Sequence, residues 1–537
     1  MDKQQSYFKN AQRKYTGDTI LIGEVFGKAG TKSFAFRAYK DVKNLDFVAI
    51  KGAEDSWVLS QIDGVESHPD GKTIANCDII GVRKGGTLLG LKTPVKPSSL
   101  VYSADKKIIQ DTLDLPKGGI YLGKLDANKD VPVFVDAGEL VSKHLCVLAQ
   151  TGSGKSYVTG VIVEELLEKK IPVIVIDSHG EYVSLGTENQ NPKEIEKMQD
   201  FGISPKAYRV REYSTDSRVN PGAEQITFSD KNLEATEIAS LFPAKASASQ
   251  TGVLYAAVLE AKRKGEYNLA DIIEIVGAME GASKWTVINM LEVVRATNLF
   301  TDNPTQLKDI VKPGSASIIN LRGASPEIQQ VVVHRLVEKL FEQRKIGRIP
   351  PLFLIVEEAH NFCPEKEVRM SSKILRTVAS EGRKFGFGLC IVSQRPARVD
   401  KNILSQCNTQ VILRVTNPND LKAIAYAEGI NKSVEKEIRN LSTGTALMLG
   451  REVPLFVNVR VKRTKHGGVT VSVTDQKAAV DTILSFDCLE QAAFKKYGKI
   501  KKVYYPIWLI KSAGGENFIV DGIKGRLMRH EKGWLAG

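Results

Sequence analysis

The chain has 537 residues, of which 75 are lysine or arginine and 62 are aspartate or glutamate, so its formal net charge is +13. This length exceeds one ordinary hydrophobic core and predicts two or three domains. The apolar runs are far shorter than the roughly 18 residues that span a bilayer, and no secretory signal or lipidation motif is visible, so we expect a cytoplasmic protein without a membrane segment. The positive surplus suits a polyanionic partner such as nucleic acid. The six cysteines form no Cys-x-x-Cys pair, which disfavours a zinc ribbon or a redox motif.

The N-terminal region consists of short β-rich runs separated by glycine, proline and aspartate. Runs with this spacing are typical of a small barrel or sandwich, and we predict an N-terminal β-barrel over residues 1–115 that serves assembly or partner docking. A linker rich in turn residues follows at 114–119. The predicted strands are 19–25, 33–39, 47–51, 57–61, 78–82, 87–91 and 100–102.

From about residue 120 the pattern changes to apolar strands separated by helical periods. That alternation predicts an α/β domain with a mostly parallel, doubly wound sheet over residues 116–470. A long helical stretch at 232–299 is expected to be an inserted helical subdomain. The segment 471–537 is expected to hold a helix at 489–497 and a β-like piece at 504–510. The predicted core strands are 145–149, 173–177, 317–321, 352–356, 388–393 and 410–415.

A small-residue loop joins the first of these strands to a helix. Strand, loop and helix start occur in P-loop order, so the chain is expected to bind a nucleoside triphosphate such as ATP together with Mg²⁺. Backbone N–H groups of such a loop converge on phosphate, Lys155 adds a charge, and the Ser156 hydroxyl can ligate Mg²⁺. Ala149 replaces the first glycine of the usual pattern, which requires a negative φ there. The predicted nucleotide-binding residues are Gln150, Thr151, Gly152, Ser153, Gly154, Lys155, Ser156 and Tyr157.

Carboxylates end two further strands. Glu357 and Glu358 follow an apolar strand, as in a Walker B motif, where the first acid holds Mg²⁺ and the second polarises the attacking water. The alternative is a solvated acidic pair at a helix start. Asp177, at the end of residues 173–177, either supports the metal or water or caps the next turn.

Two more side chains are candidates for catalysis. Gln394, after the strand at 388–393, either senses the γ-phosphate and attacking water or is a buried amide that fixes a loop. Arg383 is a candidate arginine finger, because a guanidinium can pair two phosphate oxygens; the alternative is a surface arginine. Lys143 and Arg395 are weaker candidates for the same role.

The remaining polar clusters carry weaker signals. His144, His179 and His360 lack metal-ligand spacing and are expected to pack or hydrogen-bond. The basic run 460–468 is predicted to be either a phosphate-backbone contact or a solvated strand end.

The combination of these motifs resembles the HerA family of the FtsK-HerA P-loop ATPases over roughly residues 15–470. The resemblance implies a RecA-like core in a homohexameric ring that translocates along and unwinds double-stranded DNA with the nuclease NurA in end resection. It also implies phosphate and Mg²⁺ ligation by Lys155 and Ser156, a base at Glu358, a sensor at Gln394 and a trans-acting finger at Arg383. Residues 463–468 resemble the archaeal branch. The resemblance to the HerA family rests on residues 151–156, 177–182, 357–360, 381–384 and 393–396.

Two other functions remain open from the sequence. One is a HerA-like ring ATPase of an anti-phage defence complex that activates a bound effector. The other is a nucleotide-binding scaffold without mechanical work, which the acidic Glu358 beside an intact P-loop disfavours.

Overall fold

The computed structural model describes residues 19–52, 56–216, 218–242, 246–424, 430, 432–451 and 453–467, together with three strands near the C-terminus. The chain divides into two compact units, Met1–Gly468 and Val469–Gly537. Among the described residues, no helix is both long enough and apolar enough to cross a membrane.

The N-terminal strands close into a small barrel. Six of them pair antiparallel in the order β1-β2-β5-β4-β3-β7, and β7 pairs back to β1, while β6 extends from β5. Closure removes the exposed strand edges, and alternate side chains such as Phe36 and Ile62 are fully buried inside. The strands are β1 (Leu21–Phe26), β2 (Ser33–Ala38), β3 (Phe47–Lys51), β4 (Trp57–Ser67), β5 (Thr73–Lys84), β6 (Thr87–Leu89) and β7 (Leu100–Ser103).

A second sheet of twelve strands forms the rest of the larger unit, in the order β13-β12-β16-β11-β17-β18-β10-β19-β20-β21-β8-β9. In this sheet order, the neighbouring strands from β13 through to β19 pair parallel to one another. The pairs from β19 through to β9 are antiparallel. The strands β14 and β15 form a separate ribbon. In chain order the strands are β8 (Ile120–Leu125), β9 (Pro132–Val135), β10 (Leu145–Leu148), β11 (Val173–Asp177), β12 (Arg209–Ser214), β13 (Glu224–Gln225), β14 (Phe228–Ser229), β15 (Phe300–Thr301), β16 (Ser315–Asn320), β17 (Leu352–Val356), β18 (Phe387–Ser393), β19 (Thr409–Ile412), β20 (Thr445–Leu449) and β21 (Leu455–Val459).

Helices cover both faces of this sheet, and polar caps start several of them, as Ser247 and Asn268 do through capping boxes. The helices are α1 (Lys106–Leu113), α2 (Ala137–Lys143), α3 (Lys155–Glu168), α4 (Pro192–Phe201), α5 (Ala235–Ser240), α6 (Ala248–Lys264), α7 (Leu269–Ala278), α8 (Ser283–Ala296), α9 (Leu307–Ile310), α10 (Pro326–Lys345), α11 (Met370–Phe385), α12 (Lys401–Leu404), α13 (Pro418–Ile424) and α14 (Lys432–Asn440).

The central strands are buried on both faces. Ile174 and Leu354 face a cluster with α5 to α8, α10 and α11, whereas Val175 and Ile355 face a cluster with α1 and α3. Residues buried on both sides of a parallel sheet read as continuous apolar runs, which is why these strands were predictable. The fully buried side chains each stabilise the fold by about 1.5–3 kcal/mol.

The predicted fold class is confirmed: an α/β unit with a mostly parallel sheet and inserted helices α5 to α8 follows a small barrel. The antiparallel extension was not predicted, nor was β12. The predicted helix at 489–497 lies outside the described residues. Near the predicted strand at 504–510 the structure has β22 (Ile507–Lys511), paired with β23 (Asn517–Asp521), which pairs with β24 (Leu527–Met528).

Candidate active site

The predicted site residues gather at one edge of the large sheet because neighbouring strands are parallel. The strands β11, β17, β18 and β10 lie side by side in that order. Their carboxyl ends bring the acids after β17, the amide after β18 and the loop after β10 to the same edge. This edge is where open α/β sheets bind ligands.

The loop after β10 is shaped by glycines and tied to both neighbouring strands. Gly152 and Gly154 have φ of 77° and 95°, values that side chains other than glycine rarely adopt. The φ of Ala149 is not positive, as its side chain requires. Its N–H donates to the carbonyl of Ser393 at 3.3 Å, and the N–H of Gln150 donates to Arg414 O at 3.0 Å. The loop is therefore held rigidly over the sheet edge.

The helix α3 starts directly from this loop. Gly154 is its N-cap and has no side chain to cap the first turn, so the N-terminal N–H groups are suited to an anion. Within the loop, the Ser153 hydroxyl donates to Gln150 O, and the Thr151 hydroxyl donates to Gln394 Oε1. A phosphate cradle at a helix N-terminus and the predicted sensor are thus in direct contact.

The P-loop lysine lies between the two acids of β17. Lys155 Nζ is 2.6 Å from Glu357 Oε1 and 3.0 Å from Glu358 Oε1, and all three side chains are buried. Burial alone would lower the pKa of Lys155, but the two carboxylates outweigh it and the pKa is raised. Burial raises the pKa of Glu357, and Lys155 offsets only part of this effect. A polyphosphate entering the loop therefore competes with two carboxylates for one ammonium group.

The second acid is held in an unusual backbone conformation. Glu358 has φ 49° and ψ 46°, the left-handed region that non-glycine residues rarely adopt and that is often found at functional sites. Its Oε1 accepts from Gln394 Nε2 as well as from Lys155. Burial raises the pKa of Glu358, but Lys155 and Gln394 outweigh it, so the pKa is lowered. Glu358 is consequently an ionised carboxylate, as a base requires.

His360 is a neighbour of Glu358 that the sequence did not single out for catalysis. Its Nδ1 is 3.3 Å from Glu358 Oε2 and 3.3 Å from the Ser393 hydroxyl, which accepts a hydrogen bond from Arg395 N at 3.0 Å. Burial lowers the pKa of His360 even though Glu358 opposes it, so the imidazole is neutral at pH 7. The sequence signal that could have identified His360 is its position two residues after Glu358.

The donor set beside the loop fits a hard divalent cation. The Ser156 hydroxyl is 3.2 Å from Glu357 Oε1, and Glu357 Oε2 is a buried oxygen with no hydrogen-bond partner in the described part of the chain. Oxygen donors with few protein ligands suit Mg²⁺, which keeps several waters and binds phosphate oxygens. Ser156 and Glu357 would hold it.

Asp177 reaches the same edge but is bonded to its own loop. Its Oδ1 accepts from the N–H groups of His179 at 3.1 Å and Gly180 at 2.8 Å, and its Oδ2 accepts from Tyr182 N at 3.0 Å. Both oxygens are thus committed to the turn, which is the capping alternative that the sequence left open. A catalytic role for Asp177 stays a prediction that this geometry does not favour.

Tyr157 is directed away from the phosphate loop. Its hydroxyl accepts from Lys462 N at 2.9 Å, and its ring lies 5.5 Å from the ring of His466. The side chain therefore packs against the segment 460–467, which we call the basic strap. A role for Tyr157 in nucleotide binding stays a prediction, which this direction of its side chain does not favour.

The first part of the basic strap is a buried clamp, whereas Lys465 and His466 are exposed. The prediction of a solvated strand end is therefore wrong for Arg460 and Lys462. A phosphate-backbone contact by this segment stays a prediction. Arg460 is 0% exposed and donates to Glu164 Oε2 and Glu165 Oε1, each at 2.9 Å. Arg463 also bonds Glu165, at 2.6 Å, and Lys462 is buried. Because Glu164 and Glu165 lie on α3, the strap neutralises two acids that the P-loop helix buries. Sequence charge alone could not reveal these partners.

Close packing accompanies this charge pairing. A Cβ added to Gly160 of α3 would lie 2.9 Å from Cε of Lys462, so the strap approaches the helix backbone directly. Burial lowers the pKa of Lys462, although Glu164 and Glu194 oppose it.

Replacing Arg460 with methionine is expected to lower the free energy of unfolding by about 3–5 kcal/mol, because Glu164 and Glu165 lose a buried partner. Chemical denaturation followed by circular dichroism measures the change. Arg439→Met is the matched control, since Arg439 forms an i,i+4 pair with Glu435 on the surface that is worth about 0.3–0.5 kcal/mol. Equal effects of the two substitutions would refute the clamp.

Arg383 does not lie with the other predicted site residues at the carboxyl ends of the parallel strands. It is exposed near the end of α11, and β18 starts four residues later at Phe387, whereas Gln394 follows the other end of that strand. Seven residues of strand span about 23 Å. Arg383 of one chain therefore lies at the opposite edge of the sheet from its own phosphate loop. Lys143 is also distant, and it pairs with Glu139 at 2.7 Å.

Comparison with known proteins gives a consistent assignment. A family described as "Helicase HerA, central domain" matches residues 120–340. The chain is 29% identical to the probable DNA double-strand break repair helicase HerA of Methanocaldococcus jannaschii, over 86% of this chain and 100% of that protein. It is 27% identical to the DNA double-strand break repair helicase HerA of Pyrococcus furiosus, over 81% of this chain and 88% of that protein.

Solved structures are more distant. VirB4 of Thermoanaerobacter pseudethanolicus has a TM-score of 0.46 and 14% identity, with 64% of this chain and 96% of that chain covered. The bacterial conjugative coupling protein TrwB has a TM-score of 0.43 and 13% identity, with 66% and 93% covered.

Proposed function

The chain belongs to the HerA family of FtsK-HerA type ATPases, and from that premise we propose that it uses ATP hydrolysis to move along and unwind double-stranded DNA as a hexameric ring. The observation that carries the proposal is the contact of Lys155 with both Glu357 and Glu358, beside a glycine-containing loop of the kind that binds phosphate. The printed names of the relatives, DNA double-strand break repair helicases, support DNA as the substrate.

Different residues of the site bind the phosphates, hold the metal and activate the attacking water. Lys155 and the N-terminus of α3 bind the phosphates, and Gln150 to Gly154 supply the loop around them. Ser156 and Glu357 would hold Mg²⁺, which supplies charge neutralisation for the phosphates when bound. Glu358, held by Gln394, orients and deprotonates the attacking water.

The link between Gln394 and Thr151 suggests how phosphate is sensed. Gln394 donates to the base Glu358 and accepts from Thr151 of the loop, so its amide is shared by the water-activating and phosphate-binding groups. A γ-phosphate that contacts Thr151 or Gln394 therefore shifts Glu358 as well. His360 Nδ1 lies 3.3 Å from the other oxygen, Glu358 Oε2, which has no hydrogen-bond partner in the described part of the chain.

The exposed Arg383 supports a ring. Because it lies about a strand length from its own loop, its guanidinium can complete a phosphate site only by projecting into a neighbouring subunit. We propose that the finger acts in trans between the copies of a homohexamer. The barrel, in this proposal, serves assembly or the docking of a partner such as the nuclease NurA, and residues 116–470 form the motor.

A groove beside the loop, which carries the exposed Arg395 and Arg398, is proposed as the surface that binds DNA. A cavity of about 860 Å³ is lined by Gln150 and Gln394, by four cations and by the three acids Glu365, Glu367 and Asp420. Arg395 and Arg398 are exposed there, directly after the sensor. Guanidinium groups on the sensor loop link phosphodiester binding to hydrolysis. The cations of the groove are Lys366, Arg369, Arg395 and Arg398.

Replacing both Arg395 and Arg398 with alanine is expected to weaken duplex binding equally for all sequences. Each lost phosphate contact should reduce the slope of log K against log salt by about 1. Fluorescence anisotropy with a labelled duplex at several salt concentrations measures the slope. Arg439→Ala, also exposed and basic, is the control and should leave the slope unchanged. An unaltered slope in the double variant would exclude this groove.

The proposed function is tested by ATP turnover with and without duplex DNA. Stimulation that falls steeply with salt and disappears in Lys155→Ala supports a DNA motor. A rate of ATP turnover that is unchanged by DNA but rises with a protein partner would instead favour an effector-activating ring. Absence of turnover under all conditions would favour a scaffold.

A further inference from the structure

A further cavity lies on the face of the large sheet that α5 to α8, α10 and α11 cover, and the proposed mechanism does not use it. It encloses about 630 Å³ between the ribbon β14–β15, the short helix α9, the middle of α10 and the segment before β17. Its lining includes none of the P-loop residues and none of the residues at the carboxyl ends of β17 and β18. Thr227 and Thr305 bond each other's backbone N–H groups at its edge, which fixes the wall.

The lining is strongly cationic. It contains five lysine or arginine side chains, and the described residues that line it include no aspartate or glutamate. Like charges brought together repel one another, and acids outside the lining offset only part of this charge. The five residues are Lys231, Lys308, Arg335, Lys339 and Arg348.

The acids that pair with three of these cations lie outside the lining. Arg335 is 2.5 Å from Glu237, Lys231 is 3.2 Å from Glu266, and the exposed Lys339 is 3.1 Å from Glu342. Exposed pairs of this kind are weak, so Lys339 can turn to an anion at little cost.

Arg335 gives a second, independent indication. Its side chain is only 12% exposed, and its Nε is a buried donor with no hydrogen-bond partner in the described part of the chain. Buried donors are normally satisfied, so this guanidinium has an unused donor, and an acceptor in the cavity reaches that enclosed atom only when the side chain shifts. A guanidinium beside a cavity is well matched to a phosphate.

The rest of the lining is divided between apolar and uncharged polar residues. Ile226, Phe228, Leu336 and Ile349 contribute side chains, and polar groups such as Asn232 lie near them. The volume lies within the roughly 300–1,000 Å³ that is typical of small-molecule sites, and the mixed lining offers both apolar and polar contacts. Because Arg335 is recessed, a phosphate on a small molecule reaches it more readily than the backbone of a stiff duplex.

We infer that this cavity binds a small molecule that carries phosphate together with an apolar or aromatic part, the chemical class of a mononucleotide. The cations bind the phosphate, and Phe228 and Leu336 pack against the remainder. This site is separate from the P-loop and goes beyond the proposed motor function.

The test uses the full chain with Lys155→Ala, so that the P-loop contributes little binding, and titrates AMP and pyrophosphate by calorimetry. Both should bind and compete with each other. Adding Lys339→Glu and Arg348→Glu should weaken both about tenfold or more, because charge-assisted contacts are lost. Lys345→Glu, on the same helix α10 but outside the lining, is the matched control and should bind as its parent does.

Three results would overturn the inference: no binding of either probe, binding that survives the charge reversal, or variants that lose only duplex DNA binding. Lys339→Met with Arg348→Met provides a neutral pair, and both positions are exposed, so thermal midpoints should stay close to the parent. Since the titration does not depend on DNA or on turnover, its failure is distinguishable from failure of the proposed motor.

Discussion

Replacing Glu358 with glutamine is expected to lower kcat for ATP hydrolysis by about 10²–10⁴-fold. Glutamine keeps the size of the side chain and its contact with Gln394, but it cannot accept a proton from water. Lys155 remains paired with Glu357, so the affinity for ATP should change little. Steady-state turnover gives kcat, and titration of a fluorescent ATP analogue gives the affinity.

The control for this substitution is Glu292→Gln, which alters only a surface pair with Arg295 on α8. It should leave kcat and ATP affinity unchanged. If Glu358→Gln retained the parent kcat, or lost turnover only because ATP no longer bound, Glu358 would not be the base.

Replacing Arg383 with alanine is expected to reduce kcat by about 10³-fold or more, the size of effect that arginine fingers have on phosphoryl transfer. The loss should be confined to assembled protein, because in the proposed ring the finger serves a neighbouring subunit. Lys384→Ala is the control, since Lys384 is the next residue of α11 and equally exposed. Turnover over a range of protein concentrations separates the assembled from the dispersed state.

Mixing Arg383→Ala with Glu358→Gln distinguishes action in trans from action in cis. In a mixed ring, a subunit with intact Glu358 can meet an intact Arg383 from its neighbour, and partial turnover should return. Recovery should depend on the mixing ratio. If no ratio restores turnover, Arg383 acts within its own subunit or only in folding.

The sequence predicted the sheet edge well because its signals are local. Runs such as Val173–Asp177 and Leu352–Val356 are apolar throughout, which is typical of strands buried on both faces. Parallel strands end together, so the residues after them could be expected to meet, and Lys155, Glu358 and Gln394 do. The left-handed backbone of Glu358 has no sequence signal, because glutamate does not favour it.

The parts that were missed depend on partners distant in the chain. The strand β12 (Arg209–Ser214) has charged residues because it lies near the sheet edge, so its pattern does not read as a buried strand. Arg460 and Lys462 looked solvated, since an isolated basic run gives no indication of Glu164 on a helix about 300 residues earlier. Tyr157 follows the P-loop directly, yet the strap determines its direction.

The helical insertion illustrates the same limit. Its helices were predicted from their periodicity, but Leu254, Ile272 and Leu291 share one hydrophobic cluster with the large sheet. Helical periodicity shows that a face is apolar without identifying what covers it. The cavity between α10 and the ribbon arises from that packing, so no local motif could predict it.

The central claim is that ATP hydrolysis in this chain drives movement along a DNA duplex, and a triplex-displacement assay tests it most directly. A labelled third strand is annealed to a duplex, and its release is followed with ATP for the parent chain and for Lys155→Ala. The account predicts ATP-dependent release by the parent, with a delay that lengthens with the distance to the third strand, and none by Lys155→Ala. ATP consumption on this duplex without release of the third strand would contradict it.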